Sequence, residues 1–286
     1  MEGRPLTGHV PNSLKRRIPA VRERDALRRD VQDLRARVRE LEGQLDHERL
    51  FPAQWANRRV RDKFGNEVRS GPFAGMRYPD WALTDVDLFA PKLLGSYERE
   101  LHDVVERLVA ASPEVVVNVG AADGYYAVGL ARRLPHARVL AYEPNEERLA
   151  QLVAIAELNG VAARVEAVSE AARHESLEEV LDVPAAVVCD CDGCEAELLD
   201  PRHVTRLRHA TLIVEAHDLL VPGITDTLRQ AFEGSHDIVQ IDADQRFVDH
   251  FPELDFMPLV TRQLAISEFR GSPMWWLEMT PHEARL

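Results

Sequence analysis

Apolar residues recur along the chain in two different rhythms. Between positions 27 and 45 the rhythm is heptad: Leu27, Val31, Leu34, Val38, Leu41 and Leu45 alternate spacings of four and three, the seam of a coiled coil over about three heptads. Leucine at d with valine at a favours a parallel two-stranded coil. The g-to-e′ pairs of that register, Glu23 with Arg28, Asp30 with Arg35 and Arg37 with Glu42, are all of opposite sign. Residues 23–49 are therefore expected to form a homodimer. The competing readings are a single amphipathic helix lying on its own domain and a solvated basic stalk.

Residues 52–95 carry Pro52, Gly65, Gly71, Pro72, Gly75, Pro79, Pro91 and Gly95 without sustained periodicity, which reads as loop and lid and not as core. A helix follows Ser96, with Leu101, Val104, Val105, Leu108 and Val109 on its apolar face and Pro113 as its stop. Beyond it, short apolar runs alternate with helical segments. Strands are expected at 115–119, 138–143, 164–168, 185–190, 211–216, 237–242 and 274–279, with helices over 125–134, from Asn145 to Gly160, and near 175–182. This alternation predicts an α/β fold: a Rossmann-like, doubly wound, mostly parallel sheet of about seven strands behind an N-terminal coiled-coil helix. The expected domains are a basic arm over 1–51, a connector with its lead-in helix over 52–110, and the sheet domain over 111–286.

Charge sharpens this division. The 286 residues carry a net charge of −13, but residues 1–70 hold 17 basic and 11 acidic side chains, leaving 18 against 37 for the rest. Residues 71–286, at −19, are poorly suited to nucleic acid. No run approaches the roughly 18 apolar residues of a membrane span, and the first residues lack the apolar stretch of a signal peptide, so a cytoplasmic location is expected. Cys189, Cys191 and Cys194 are too close and too few for a disulfide framework. They suggest zinc or a redox centre only weakly, since no fourth ligand has the usual spacing, and packing is the expected role of at least one.

The first strand runs into Gly120-Ala121-Ala122-Asp123-Gly124 and then a helix, the place where open α/β sheets bind ligands. Gly120 and Gly124 permit the tight turn, and Asp123 is placed to cap the helix. Nineteen positions after Gly124, Glu143 ends the second strand where a carboxylate reaches both ribose hydroxyls, with Pro144 beside it. The turn does not suit a pyrophosphate. Ala122 occupies the place of the second glycine, and Asp123 brings negative charge to the helix start. A nucleoside cofactor with a cationic centre and no phosphate fits better, and S-adenosylmethionine is such a molecule.

The segments VVVNVGAADGYYAVGLA, LAYEPNEERLAQLVAIAELNG, VVCDCDGCEAELLD and TLIVEAHD, in that order, resemble the successive signatures of FkbM-type class I S-adenosylmethionine-dependent methyltransferases over about residues 113–232. The resemblance implies that Gly120 and its neighbours Ala121, Asp123, Gly124 and Tyr125 line the methionine part of the cofactor. It also implies that Glu143 binds ribose and that Asp190 faces the site. Asn118 stands where an acid usually ends the first strand, so its contact to the cofactor amino group would be a neutral one. A small-molecule or sugar hydroxyl as acceptor comes from the resemblance alone.

The ends of the fourth and fifth strands carry Asp190, Asp192 and Glu195, then Glu215, His217 and Asp218. In-line methyl transfer to a hydroxyl needs the nucleophile positioned and its proton removed, so His217 is the expected base, with Asp190 orienting it or the acceptor and Glu215 beside them. Glu195 serves either catalysis or the following helix. If the reaction uses Mg²⁺ or Mn²⁺, Asp190, Asp192 and His217 are its ligands. The rival functions are a nicotinamide-dependent oxidoreductase, a non-catalytic coiled-coil scaffold with a degenerate domain, and an aminopropyl-type transferase.

Overall fold

The computed structural model describes residues 26–27, 30–38, 41, 52–83, 88–270 and 274–282. The chain divides into two units, 1–52 and 53–286. In the first unit the described residues are helical, and Leu27, Val31, Leu34, Val38 and Leu41 stand 45–65% exposed. Leu45 and the charged partners Glu23, Arg28 and Glu42 lie outside the described residues. No helix among the described residues is long and apolar enough to cross a membrane.

The second unit is an α/β, Rossmann-like, doubly wound domain. Its seven strands are β1 (Val115–Val119), β2 (Arg138–Tyr142), β3 (Val165–Val168), β4 (Ala185–Cys189), β5 (Thr211–Ala216), β6 (His236–Asp242) and β7 (Trp275–Pro281). They lie in the order β3-β2-β1-β4-β5-β7-β6, all parallel up to β5, with β7 antiparallel to both β5 and β6. β1 pairs β2 at Val117 and Leu140 and β4 at Val117 and Val187. The chain winds outward in opposite directions from β1, so the carboxyl ends of β1 and β4 open a crevice at the switch point.

Continuous apolar strands are what burial on both faces demands. Val115, Val117 and Val119 join a core with Leu177, Leu212 and Phe232, while Val116 joins the opposite core with Phe73, Leu130 and Trp276. Trp276 is fully buried, whereas its neighbour Trp275 is half-buried and donates Nε1–H to Thr225 Oγ1 at 2.8 Å.

Residues 52–95 depart from the expected loop and lid. They contain helices α1 (Pro52–Phe64) and α2 (Phe89–Leu94), and Val60, Val68, Phe73, Met76, Tyr78, Phe89 and Leu93 are core residues. Their apolar positions are separated by glycine and proline turns, so no single period registers them. Phe73 shows how tightly the segment is seated. Its ring occupies the space that a side chain at Gly129 would fill, since a Cβ there would come within 2.5 Å of it. The lead-in helix is α3 (His102–Ala111), which closes at Ser112 just before Pro113.

Candidate functional site

A cavity of about 620 Å³ lies over the crevice, in the size range of small-molecule sites. Val119 and Gly120 at the end of β1, Tyr142, Glu143 and Pro144 at the end of β2, and Asp190, Cys191, Asp192 and Cys194 after β4 form its floor and walls. Arg148 and residues 171–175 enclose the rest. Arg148 is placed there by Asn145, whose side chain caps the following helix, α5 (Glu146–Leu158), by accepting from the Glu147 and Arg148 amides at 3.0 Å.

Gly120 sets the shape of the turn. It adopts φ +72°, and a Cβ on it would stand 1.6 Å from the Asp190 carbonyl oxygen, so β1 and β4 can converge here only over a glycine. Glu143 then fastens the turn to β2. Its Oε2 accepts from the Ala122 amide and its Oε1 from the Asn145 amide, both at 2.8 Å. Each carboxylate oxygen has two acceptor positions, so one on each remains for the cavity. The Ala122 amide, which a phosphate would require, is already engaged.

Asp123 does not cap the helix α4 (Tyr125–Arg133), which starts from Gly124 without a side-chain cap. Instead its two oxygens take Lys92 Nζ at 2.7 and 2.9 Å, both partners being buried. A buried carboxylate needs a cation more than a helix end needs a cap. Tyr125 stands in an edge-to-face cluster with Phe73, Tyr97 and Tyr126. Neither Tyr125 nor Asp123 is on the cavity wall, and the same holds for Ala121, Gly124 and Asn118. Asn118 donates Nδ2–H to the Val188 carbonyl at 3.3 Å and leaves Oδ1 buried without a partner.

The ends of β4 and β5 bring Asp190, Asp192, Glu195, Glu215 and His217 together. His217 Nδ1 lies 2.6 Å from Glu195 Oε1, while its Nε2 faces Asp192 at 3.5 Å, Asp190 at 3.6 Å and Glu215 at 3.9 Å. Glu195, and not Asp190, is thus the group that orients the imidazole. The hydrogen bond to Glu195 raises the His217 pKa above the ordinary histidine value, against burial. Burial works to raise Glu195, but hydrogen bonds from His217 and the Gly193 amide, with the charge of His217, hold its carboxyl below the usual range. Asp218, in contrast, turns to the next loop and accepts from the Gly223 amide and Thr225.

Glu215 has a different character. Burial, together with Asp190 and Glu98, pushes it up to about 10, although Arg270 Nη1 sits 3.0 Å from its Oε1. Glu215 and three further carboxyls, Glu98, Glu100 and Glu268, share two guanidiniums, Arg246 and Arg270. The excess of negative charge in this interior favours the protonated form of Glu215, which hydrogen-bonds Asp190.

The ligand atoms of Asp190, Asp192 and His217 all lie within 4.8 Å of one another, a donor set suited to a hard divalent cation. Cys191 and Cys194 are joined by a disulfide with a Cα separation of 5.6 Å, and Cys189 remains a buried thiol. The buried Cys189 packs, as expected of at least one of the three, whereas the bond between Cys191 and Cys194 departs from the sequence reading. The signal was the two-residue spacing of Cys191-Asp192-Gly193-Cys194. Lys92, Arg148 and His174 also border the region without being anticipated, and only the tertiary fold brings them there.

No family model matches the chain, and no curated protein matches it. Among solved structures it is similar to an rRNA methylase from Streptococcus thermophilus, with 12% identity over 64% of this chain and 96% of that one and a TM-score of 0.44. It is also similar to the O-methyltransferase TomG from Streptomyces achromogenes, involved in tomaymycin synthesis and solved with SAM, at 18% identity over 66% and 82% of the two chains and a TM-score of 0.42. A third is an O-methyltransferase from Bacillus cereus in complex with SAH, at 14% identity over 61% and 77% and a TM-score of 0.41.

Proposed function

We propose that the chain is an S-adenosylmethionine-dependent methyltransferase of the FkbM type, acting on a hydroxyl of a small molecule or sugar. The observation that carries this reading is the juxtaposition of two features. One is a cavity bounded by the Gly120 turn and the Glu143 carboxylate, and the other is an oriented histidine beyond its Asp190 and Asp192 wall.

The residues fit the cofactor. Glu143 keeps one acceptor position on each oxygen for a pair of ribose hydroxyls, and the acidic wall of Asp190 and Asp192 suits a cationic centre and opposes a pyrophosphate. When bound, S-adenosylmethionine supplies the methyl group and a sulfonium leaving group. Glu195, an acceptor only, fixes the neutral His217 as the Nδ1–H tautomer, and Nε2 is then free to take the proton of the acceptor hydroxyl. Asp190 and Asp192 flank that nitrogen and hold the hydroxyl for in-line attack.

The test is a thermal-shift and calorimetric comparison of S-adenosylmethionine, S-adenosylhomocysteine and NAD on the full chain. A ligand at 100 times its dissociation constant stabilises the fold by about 2.7 kcal/mol. Stabilisation by the first two supports the reading; stabilisation by NAD alone favours the oxidoreductase and overturns it.

The convergence of Asp190, Asp192 and His217 supports one variant, in which these three residues would hold Mg²⁺ or Mn²⁺ and the ion would supply Lewis acidity to the acceptor hydroxyl. Calorimetric titration of either ion distinguishes the two, because absence of binding leaves His217 as the base. The heptad seam, exposed along Leu27, Val31, Leu34, Val38 and Leu41, supports a homodimer through residues 23–49. Light scattering on a chain lacking residues 1–50 should report a monomer, and an unchanged mass would remove the arm from the assembly.

A further inference from the structure

The loop that links the cavity to His217 is closed by a disulfide. We propose that Cys191 and Cys194 form a reversible thiol–disulfide site that controls the order of the cofactor wall. The inference rests on the methyltransferase reading only for the identity of the ligand whose binding it controls.

Four observations converge on it. Both cysteines line the cavity and are half-buried, so the pair borders the space a dithiol would enter. The ring they close contains Asp192, whose carboxylate is 3.5 Å from His217 Nε2. Two amides of the same loop, those of Cys191 and Gly193, donate to Glu195 Oε1 at 3.3 and 3.1 Å, the very oxygen that holds His217 Nδ1. Asp192 and Gly193 both sit at positive φ, 54° and 109°, a shape that a short closed ring maintains and an open chain abandons at little cost. The disulfide thereby fixes Asp192, the Glu195 carboxylate and one wall of the cavity at once.

The third cysteine sets the direction of attack. Cys189 Sγ lies 3.7 Å from Cys191 Sγ, but it is fully buried and does not line the cavity. Thiol–disulfide exchange needs access, so Cys189 is not the resolving thiol. Reduction therefore needs an external dithiol. One thiolate of that dithiol attacks a sulfur of the 191–194 bond, a mixed disulfide forms as the partner sulfur leaves as thiolate, and the second thiol of the reductant completes the exchange. Two electrons and two protons pass to the protein, and the reductant becomes a disulfide.

The experiment uses the full chain with and without dithiothreitol, after mild oxidation with oxidised glutathione. Under denaturing conditions the oxidised protein should show one free thiol and the reduced protein three. Amide exchange across residues 190–196 should accelerate about tenfold or more on reduction, and affinity for S-adenosylhomocysteine should fall by a similar factor. Cys194→Ser should bind like the reduced protein under both conditions. Bound S-adenosylhomocysteine should also slow the reduction, because coupling between two sites is reciprocal. Three thiols after oxidation, or equal exchange and equal affinity in the two states, would overturn the proposal. If exchange responds to the redox state while S-adenosylhomocysteine binds neither form, the thiol site stands and the cofactor assignment fails.

Discussion

Glu195 Oε1 stands 2.6 Å from His217 Nδ1, and it is the most enclosed carboxylate of the site. An ionised carboxylate can only accept, so this contact decides which imidazole nitrogen faces the cavity side. A base with a raised pKa is protonated at and just above the ordinary histidine value of about 6.5, and becomes competent as the pH rises further.

The His217 ring should accordingly titrate above about 6.5 when followed by NMR, and Glu195→Gln should bring that titration back toward it. An unchanged titration would refute the pairing. With an acceptor in hand, His217→Ala should keep affinity for S-adenosylhomocysteine and lose turnover by about 10²–10⁴-fold. The wild-type rate should climb with pH along the same titration.

Gly120→Ala should abolish the convergence of β1 and β4, because its Cβ would meet the Asp190 carbonyl at 1.6 Å. Urea unfolding should report a loss of at least about 2 kcal/mol, with cofactor binding lost in parallel. A variant with wild-type stability and affinity would show that the turn can be built another way.

The Lys92–Asp123 pair predicts a non-additive result. Lys92→Met or Asp123→Leu alone strands a buried charge and should cost about 3–5 kcal/mol, while the double variant should recover most of that. Additive losses, measured by denaturant titration, would mean that the charges do not depend on each other.

The interior carboxyls set a pH dependence of stability. Glu98 is pushed up to about 8 and Glu215 up to about 10, chiefly by burial. In each case the folded state binds a proton that the unfolded chain has released, so the associated stability is present below the ordinary carboxyl range and lost as pH rises toward the folded values. Unfolding free energy should fall from about pH 5 upward, by up to about 1.4 kcal/mol per pH unit for each group, the Glu98 share ending near pH 8 and the Glu215 share near pH 10. Glu98→Gln should flatten the slope. Stability that increases over this window would contradict the assignment.

The alternating part of the chain was legible because parallel strands buried on both faces become short apolar runs, and β1 and β5 occupy the positions their sequences indicate. Gly120, Glu143, Pro144, Asp190 and Asp192 were likewise legible as strand-end positions, and all five border the cavity. The connector was not, since Phe73 owes its burial to Gly129, 56 positions away and visible only in the fold. Asp123 was misread for a related reason. Local geometry made it a cap, and a lysine in a distant helix gave it a stronger partner. The role of Glu195 escaped in the same way, because only the packing of the loop after β4 against the end of β5 brings it to His217.

Glu143 touches the backbone of the loop after β1 with one oxygen and that of the loop after β2 with the other. Under the proposed reading, ribose recognition and loop architecture share a single side chain. An engineer seeking to retune nucleoside preference cannot treat this position as an adjustable contact. Any replacement must re-solve two loop conformations together, and that narrows the exchanges open to drift or design far more than the chemistry of a ribose would.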